Sequence, residues 1–305
     1  MPVNINRRTA GVQLPKELSA DIIAGALDGS TVLANFGTTV MPGAGVSFQT
    51  VTGEPTAAWV NETDEKPVSR HTFGTKDVTP YKMAVIEPFS NEFKRDKGAL
   101  YAVLAQRLPF ALSRLLDLTV LGAQAAPGSG FDTLAGAPAM TVRPSPAYPT
   151  TDTTTADLLA VNAYLAGRGV SPSAWIGTAG FEAQMLGARF PDNTGIFVSD
   201  YRGQPTVGRI LGAPLTRHVS TALKTSTTVG DDIAIVGDFR GRGKIGIVEN
   251  ITVRASDQAT INDGGTQLNL WQRNMFALLV EFEVGCVIDD VANFVRVTDG
   301  VVDTP

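Results

Sequence analysis

Between Gly98 and Leu121 the leucines at 100, 104, 108, 112, 115 and 118 recur close to the 3.6-residue period of a helix. About 24 residues at ~1.5 Å rise predict a rod of roughly 36 Å. Pro109 lies inside it, and its ring conflicts with the carbonyl of Ala105, which predicts a kink or a first short helix ending before it. Shorter stretches predict further helices. One runs from Pro15 to near Gly29, with Leu18, Ile22, Ile23, Ala26 and Leu27 on one face. A second spans Ala156 to Ala166, capped by Thr154 or Thr155 and stopped at Gly167 or Gly169, and a third runs from Ala179 to about Ala188.

Strand periodicity marks other regions. Val46, Phe48 and Thr50 alternate, Ala57-Ala58-Trp59-Val60 follows, and the chain returns through Thr72-Phe73 and Tyr81 to Val85, which predicts a long β-hairpin with a charged distal part, Asn61 to Pro67. Arms of ~12 residues at ~3.3 Å each reach about 40 Å. A two-stranded hairpin that long is unstable alone, so it has to lie on something else, and a neighbouring subunit is one candidate. Strands are also predicted at Ala174–Ile176, at Asp232–Phe239 and Ile245–Arg254 around a glycine-rich turn, and through Leu268–Ile288. In that last run Phe276, Leu278, Val280, Phe282 and Val284 alternate with Ala277, Leu279, Glu281 and Glu283. Residues 122–155, rich in Gly, Pro, Ser and Thr, read as loop. Helices and strands mix without a βαβ rhythm, which places the chain in the α+β class.

Composition narrows the function. With 305 residues, 43% hydrophobic and 18% charged, the chain supports one large globular domain or two ordinary ones. A formal charge of −5, from 25 basic and 30 acidic residues, excludes a surface wholly given to nucleic acid. A single cysteine, Cys286, rules out an internal disulfide, and the opening residues lack the apolar run of a secretion signal, which gives an intracellular reading. Met275–Ile288 is interrupted by Glu281 and Glu283 and is too short to span a bilayer, so no membrane role is expected.

The candidate chemistry is thin. Gly241-Arg242-Gly243-Lys244-Ile245-Gly246 fits G-x-G-x-x-G, but β-branched residues follow where a dinucleotide site needs a helix, so the string reads as a turn. Arg240, Arg242 and Lys244 read as its exposed charges. His71 and His218 form neither a zinc motif nor a hydrolase motif and read as solvated or interface residues. Cys286 reads as a small buried hydrophobe, and Asp64-Glu65 and Asp231-Asp232 as solvated loop charges. No cofactor or metal is implied, whereas the hairpin and the loose N-terminus point to other chains as partners.

The order of segments then resembles a known family. Leu14-Pro15-Lys16-Glu17-Leu18 with Asp21-Ile22-Ile23, Ala58-Trp59-Val60-Asn61-Glu62, Glu65-Lys66-Pro67 and Phe73 resemble the major capsid proteins of tailed bacteriophages, the Hong Kong phage-type fold shared with encapsulins and herpesvirus shells. So do Leu118-Thr119-Val120-Leu121-Gly122, Gly212-Ala213-Pro214, Gly237-Asp238-Phe239 and Leu270–Met275.

The resemblance implies an N-terminal arm (1–30), a peripheral domain (31–122 and 261–305) with an extended loop (46–86) and a spine helix (91–122), and an axial domain (123–260). It also implies hexamers and pentamers of an icosahedral shell that encloses double-stranded DNA without reading its sequence, assembled in the host cytoplasm with a portal and with or without a decoration protein. Because Met1 stands directly before the arm, a scaffolding protein is expected to be separate. Leu18, Ile22, Trp59, Glu62, Lys66 and Phe73 become subunit-interface residues by the same resemblance.

In family members that cross-link themselves, a loop lysine attacks an asparagine amide of another subunit while a glutamate takes up a proton. The matching residues here are Lys66, Asn274 and Glu281. Along one extended strand Asn274 and Glu281 would stand ~23 Å apart, so such a site would need several subunits. Two alternatives stay open: an encapsulin-like shell around a protein cargo, and an α+β enzyme.

Overall fold

The computed structural model describes residues 30–53, 55–62, 65–96, 98–143, 153–188, 208–218, 223 and 231–299. The helix expected over residues 15–29, with Leu18 and Ile22, lies outside them.

Strands β1 (Gly37–Val40), β10 (Gly243–Ser256), β13 (Met275–Ile288) and β4 (Tyr81–Ser90) form a four-stranded sheet in that order. The alternation read from β13 is realised from Leu278 onward: Phe276, Leu278, Val280, Phe282 and Val284 are buried and Leu279, Glu281 and Glu283 lie half-buried on the other face, where Ala277 is instead buried against Leu268 and Leu270. The buried face packs against an unbroken helix, Gly98–Val120, whose Leu108, Leu112, Leu116 and Val120 share its core.

Two expectations about that helix change. It runs through Pro109 instead of ending before it, with the Ser113 hydroxyl donating to the Pro109 carbonyl at 3.2 Å. The buried face is not the full leucine series either. At ~100° per residue Leu118 lies about 120° round the axis from Leu112, and both Leu115 and Leu118 turn off the core side.

A six-stranded sheet has the order β5 (Ala139–Thr141), β14 (Phe294–Thr298), β9 (Asp232–Gly237), β6 (Ala174–Gly177), β8 (Ala213–Arg217), β7 (Arg209–Ile210). Its centre is buried on both faces, which is why residues 233–236 are apolar without alternation. Ala174, Ile176, Ile235 and Phe294 join the core of the long helix. Trp175, Val236, Val295 and Val297 pack with Leu158, Val161 and Leu165 of the helix Thr153–Gly167 and with Phe181 and Met185 of the helix Ala179–Gly187.

β5 corrects the expectation of unbroken loop over 122–155, because it gains pairing only by lying parallel to the distant β14. The helix Thr153–Gly167 begins ahead of its expected caps, and the Thr154 hydroxyl donates instead to the Arg143 carbonyl at 2.9 Å. The sheets also cross-stitch the chain: β10 pairs in the four-stranded sheet directly after β9 of the six-stranded one, and β14 returns to the six-stranded sheet after β13.

The glycine-rich turn contains a short helix, Phe239–Arg242, whose Asp238 side chain accepts from the amide of Gly241 at 3.0 Å. A Cβ at Gly241 would come within 2.2 Å of Asp238, one at Gly243 within 2.5 Å of Phe36, and one at Gly246 within 2.1 Å of Met41. Those glycines serve close packing. Asp232 is fully buried instead of solvated, because Arg296 on the adjacent strand donates to its carboxylate at 2.9 and 3.1 Å.

Two ribbons stand apart from the sheets. β11 (Thr260–Asp263) and β12 (Thr266–Asn269) are joined through Gly264 and Gly265, both at positive φ as a tight hairpin turn requires. β2 (Val46–Gly53) and β3 (Thr72–Val78) pair from Val46 opposite Val78 outward.

The long hairpin is therefore shorter in pairing than the pattern suggests. Ala57–Val60 carries no strand, and Tyr81–Val85 belongs to β4 in the four-stranded sheet instead of to a return arm. Pro55 and Pro67 lack amide donors for a ladder, and Tyr81, Met83 and Val85 find core to pack against one strand earlier.

Candidate functional site

The β2–β3 ribbon is braced at its root. Val78 is buried, the Lys76 ammonium stands 2.8 Å from Asp132 and also donates to the Ile288 carbonyl, and Asp132 accepts from the Ile288 amide at 2.8 Å. The Thr79 amide donates to the Gly130 carbonyl at 2.9 Å. These contacts tie both the ribbon and the loop after the long helix to the end of β13, so the ribbon leaves the body in a fixed direction.

Beyond that root the described contacts run across the segment itself: the Thr56 amide donates to the Ser69 hydroxyl at 2.8 Å, and the His71 and Phe73 rings stand 6.2 Å apart. Trp59 is 105% exposed, and Val68 and Phe73 are 82% and 69% exposed. A tryptophan in that state leaves a large apolar surface in water, which a partner surface would cover. Glu62 and Lys66 are exposed on the same segment, so four of the six expected interface residues stand together on one projecting element. Leu18 and Ile22 lie outside the described residues.

The three candidate cross-link residues are not gathered within one chain. Lys66 projects with the ribbon and makes no ion pair among the described residues. Glu281 is on the half-open face of β13 with Lys82 at 3.9 Å, and its side chain is 19% exposed. Asn274 does not begin a strand: it closes a turn, at φ 53°, where the Met275 amide donates to the Leu270 carbonyl at 2.9 Å. Its carbonyl accepts from the Asn91 amide at 3.1 Å and its side-chain oxygen from the Asn91 side-chain amide at 3.0 Å. Asparagine tolerates the left-handed region better than most residues, so the turn by itself accounts for this residue type.

The pattern gave no sign of a buried polar cluster at the start of the described chain. Asp117, 2% exposed on the long helix, accepts from the Ser30 hydroxyl at 2.6 Å, the Thr31 amide and hydroxyl at 2.9 Å each, and the Val32 amide at 3.1 Å. It thereby fixes the N-terminus of the short helix Thr31–Asn35. His218, expected in solvent or at an interface, is buried here with Nδ1 2.9 Å from the Thr31 hydroxyl. Burial holds its pKa below the usual histidine value, reinforced by Arg114 and opposed by Asp117. Cys286 is likewise buried in β13, which pushes its thiol up, out of the range of a nucleophile.

A second surface lies on the long helix. Arg107, Phe110 and Arg114 are exposed on the side away from Leu108, Leu112 and Leu116, with Ala111 and Leu115 exposed at the edge of the core face. Leu115 also lines a cleft of about 350 Å³ bounded by Tyr81, Lys82, Leu116, Pro127 and Phe131.

A body with its own buried cores, carrying a braced ribbon on which Trp59, Val68 and Phe73 stay exposed, defines a structural subunit made for assembly. Residues 10–299 match the phage capsid family, and the chain belongs to it. It is a major capsid protein of the tailed-phage kind, a structural component of the virion.

The chain is 27% identical over 261 residues to the probable major capsid protein gp17 of Mycobacterium phage L5, and 26% identical over 260 residues to that of Mycobacterium phage D29. Each match covers 81% of this chain and 77% of the relative. Among solved structures, one from Mycobacterium phage Bobi has a TM-score of 0.70 at 24% identity, covering 88% of this chain and 90% of that one. The capsid of an empty GTA particle computed with C5 symmetry gives 0.62 at 9% identity, covering 90% of each. The fold outlasts nearly all sequence likeness.

Proposed function

We propose that the chain builds a closed icosahedral shell of hexamers and pentamers around double-stranded DNA, with residues 46–78 and the segment they carry laid across a neighbouring subunit. The observation that supports this most is the complete exposure of Trp59 on a ribbon rigidly braced at Lys76 and Val78. On this reading residues 31–122 and 261–305 are the peripheral part and 123–260 the axial part, with β10 of the second pairing into the four-stranded sheet and β14 of the first into the six-stranded one, while residues 1–30 form the arm. At −5 the chain holds DNA by confinement with scattered basic contacts, so shells are about as stable to salt empty as filled.

Lys66, Asn274 and Glu281 act, on the same reading, between subunits. The lysine nitrogen bonds the side-chain carbonyl carbon of Asn274, ammonia leaves, and Glu281 takes the lysine proton. Electron microscopy of the purified protein tests the assembly: rings or shells are expected, and a stable 32.1 kDa monomer at high concentration, with or without a scaffold, overturns it.

A further inference from the structure

Two asparagines face each other where β4 and β13 leave their ladder. Met275 stands opposite Ser90 in register, so the residues just beyond, Asn274 and Asn91, are brought side by side. The turn from Leu270 to Met275 closes on its own backbone: the Met275 amide donates to the Leu270 carbonyl at 2.9 Å and the Asn274 amide to the Trp271 carbonyl at 3.3 Å. It is moored to the end of β4 by the backbone amide of Asn91, which donates to the Asn274 backbone carbonyl at 3.1 Å. The helix Asn91–Asp96 is capped by Ser90, whose hydroxyl accepts from the Glu92 amide at 3.2 Å. Neither task uses the Asn91 side chain. The left-handed backbone accounts for an asparagine at 274, but not for a second one at 91.

The amide nitrogen of the Asn91 side chain donates to the side-chain oxygen of Asn274 at 3.0 Å. The side-chain nitrogen of Asn274 makes no hydrogen bond among the described residues, and both asparagines are exposed, open to a group arriving from another subunit. A donor held at that distance from a carbonyl oxygen stabilises the negative charge that develops there when the carbonyl carbon is attacked. On the same turn Trp271 is 64% exposed, an apolar surface that dries the site once a neighbouring subunit covers it, and a hydrogen bond strengthens as water is excluded.

Resting on the cross-link proposed above, we infer that Asn91 is a further catalytic residue of that reaction, holding the side-chain oxygen of Asn274 as charge builds on it. Lys66 Nζ gives one of its three protons to Glu281 and bonds the Asn274 side-chain carbonyl carbon, and the π pair of the C=O bond moves onto the oxygen beside the Asn91 amide. The pair then returns and the carbon–nitrogen bond of Asn274 breaks. The departing nitrogen takes a second lysine proton and leaves as ammonia, while the third stays on the new amide.

Asn91→Asp tests this role, because it keeps the size and one oxygen of the side chain and removes its N–H donors. Asn91→Ala removes the side chain beyond Cβ, and both variants retain the backbone bond that moors the turn. Shells of wild type and of each variant are counted by electron microscopy, melted, and boiled in detergent at intervals after assembly. Shell yield and thermal midpoint are expected to match wild type, while the covalent ladder appears about tenfold to a hundredfold more slowly in both variants. Equal rates in wild type and either variant overturn the role of Asn91 and leave the cross-link standing. A slower ladder accompanied by fewer shells or a lower midpoint makes Asn91 a structural residue and overturns the role as well. Wild-type shells that give no ladder remove the cross-link itself, and this role with it.

Discussion

Trp175 and Trp59 are the same side chain in opposite circumstances. Trp175 is 1% exposed, stacked on Phe181 at 6.0 Å, with its indole nitrogen donating to the Ile210 carbonyl at 3.1 Å. Trp59 is fully exposed. The body around Trp175 has buried its apolar side chains inside one subunit, whereas the segment around Trp59 has not, although the ribbon beneath it is braced by a salt bridge and a buried valine. On the proposed assembly, folding and subunit contact are separated along the chain: residues that build the subunit's cores and residues left exposed for a neighbour occupy different elements.

Deleting residues 55–71 should break that separation most visibly. The body is expected to keep its thermal midpoint within a few degrees while shells vanish, since the described residues of that segment make no strand pairing. Normal shells from the truncated chain, or its unfolding, would refute the division.

Trp175→Ala should cost about 3–5 kcal/mol and unfold much of the protein, measured by denaturant titration. Trp59→Ala should change that titration by under about 0.5 kcal/mol and yet impair assembly. Similar costs at the two positions would erase the contrast.

Asp117→Ala strands four donors, from Ser30, Thr31 and Val32, in a buried site, and should cost about 2–4 kcal/mol. A loss below about 1 kcal/mol would mean that water replaces the carboxylate.

His218 gives a smaller effect that depends on pH. Its folded pKa lies below its unfolded value of about 6.5, so the unfolded chain binds the extra proton. Stability is complete above pH ~6.5 and declines as the pH falls through and below that value. His218→Gln should flatten the decline, as read by thermal melts from pH 7.5 to 5, and an unchanged slope would remove His218 as its source.

The last prediction leaves fold and assembly untouched. Mature shells boiled in detergent should give a covalent ladder that Lys66→Arg abolishes, because arginine supplies no primary amine. A single monomer band from wild-type shells excludes the chemistry. A ladder that survives the substitution assigns it to another residue.

Much of this was legible in the chain. The period of residues 98–121, the alternation of 276–284 and the apolar run at 233–236 set element type because each follows from burial on one face or on two. The exposure of the Trp59 segment followed from a simple argument, that a ribbon of that length has nothing of its own to lie on. Recognition of the capsid family rested on the order of short motifs that are individually weak.

Other features depended on contacts between residues far apart in sequence. Pro109 stays helical because Leu108 and Leu112 are packed on either side of it. Asp232 is buried because Arg296 arrives on a neighbouring strand, and Asp117 and His218 meet because residues 30–32 lie between them. Asn274 takes its conformation from a turn closed by backbone bonds that residue type alone does not announce. Local pattern records how much apolar surface a segment has to hide. Which polar groups are brought together once it is hidden is decided only when strands such as β5 and β14, or β10 and β13, come into register across the fold.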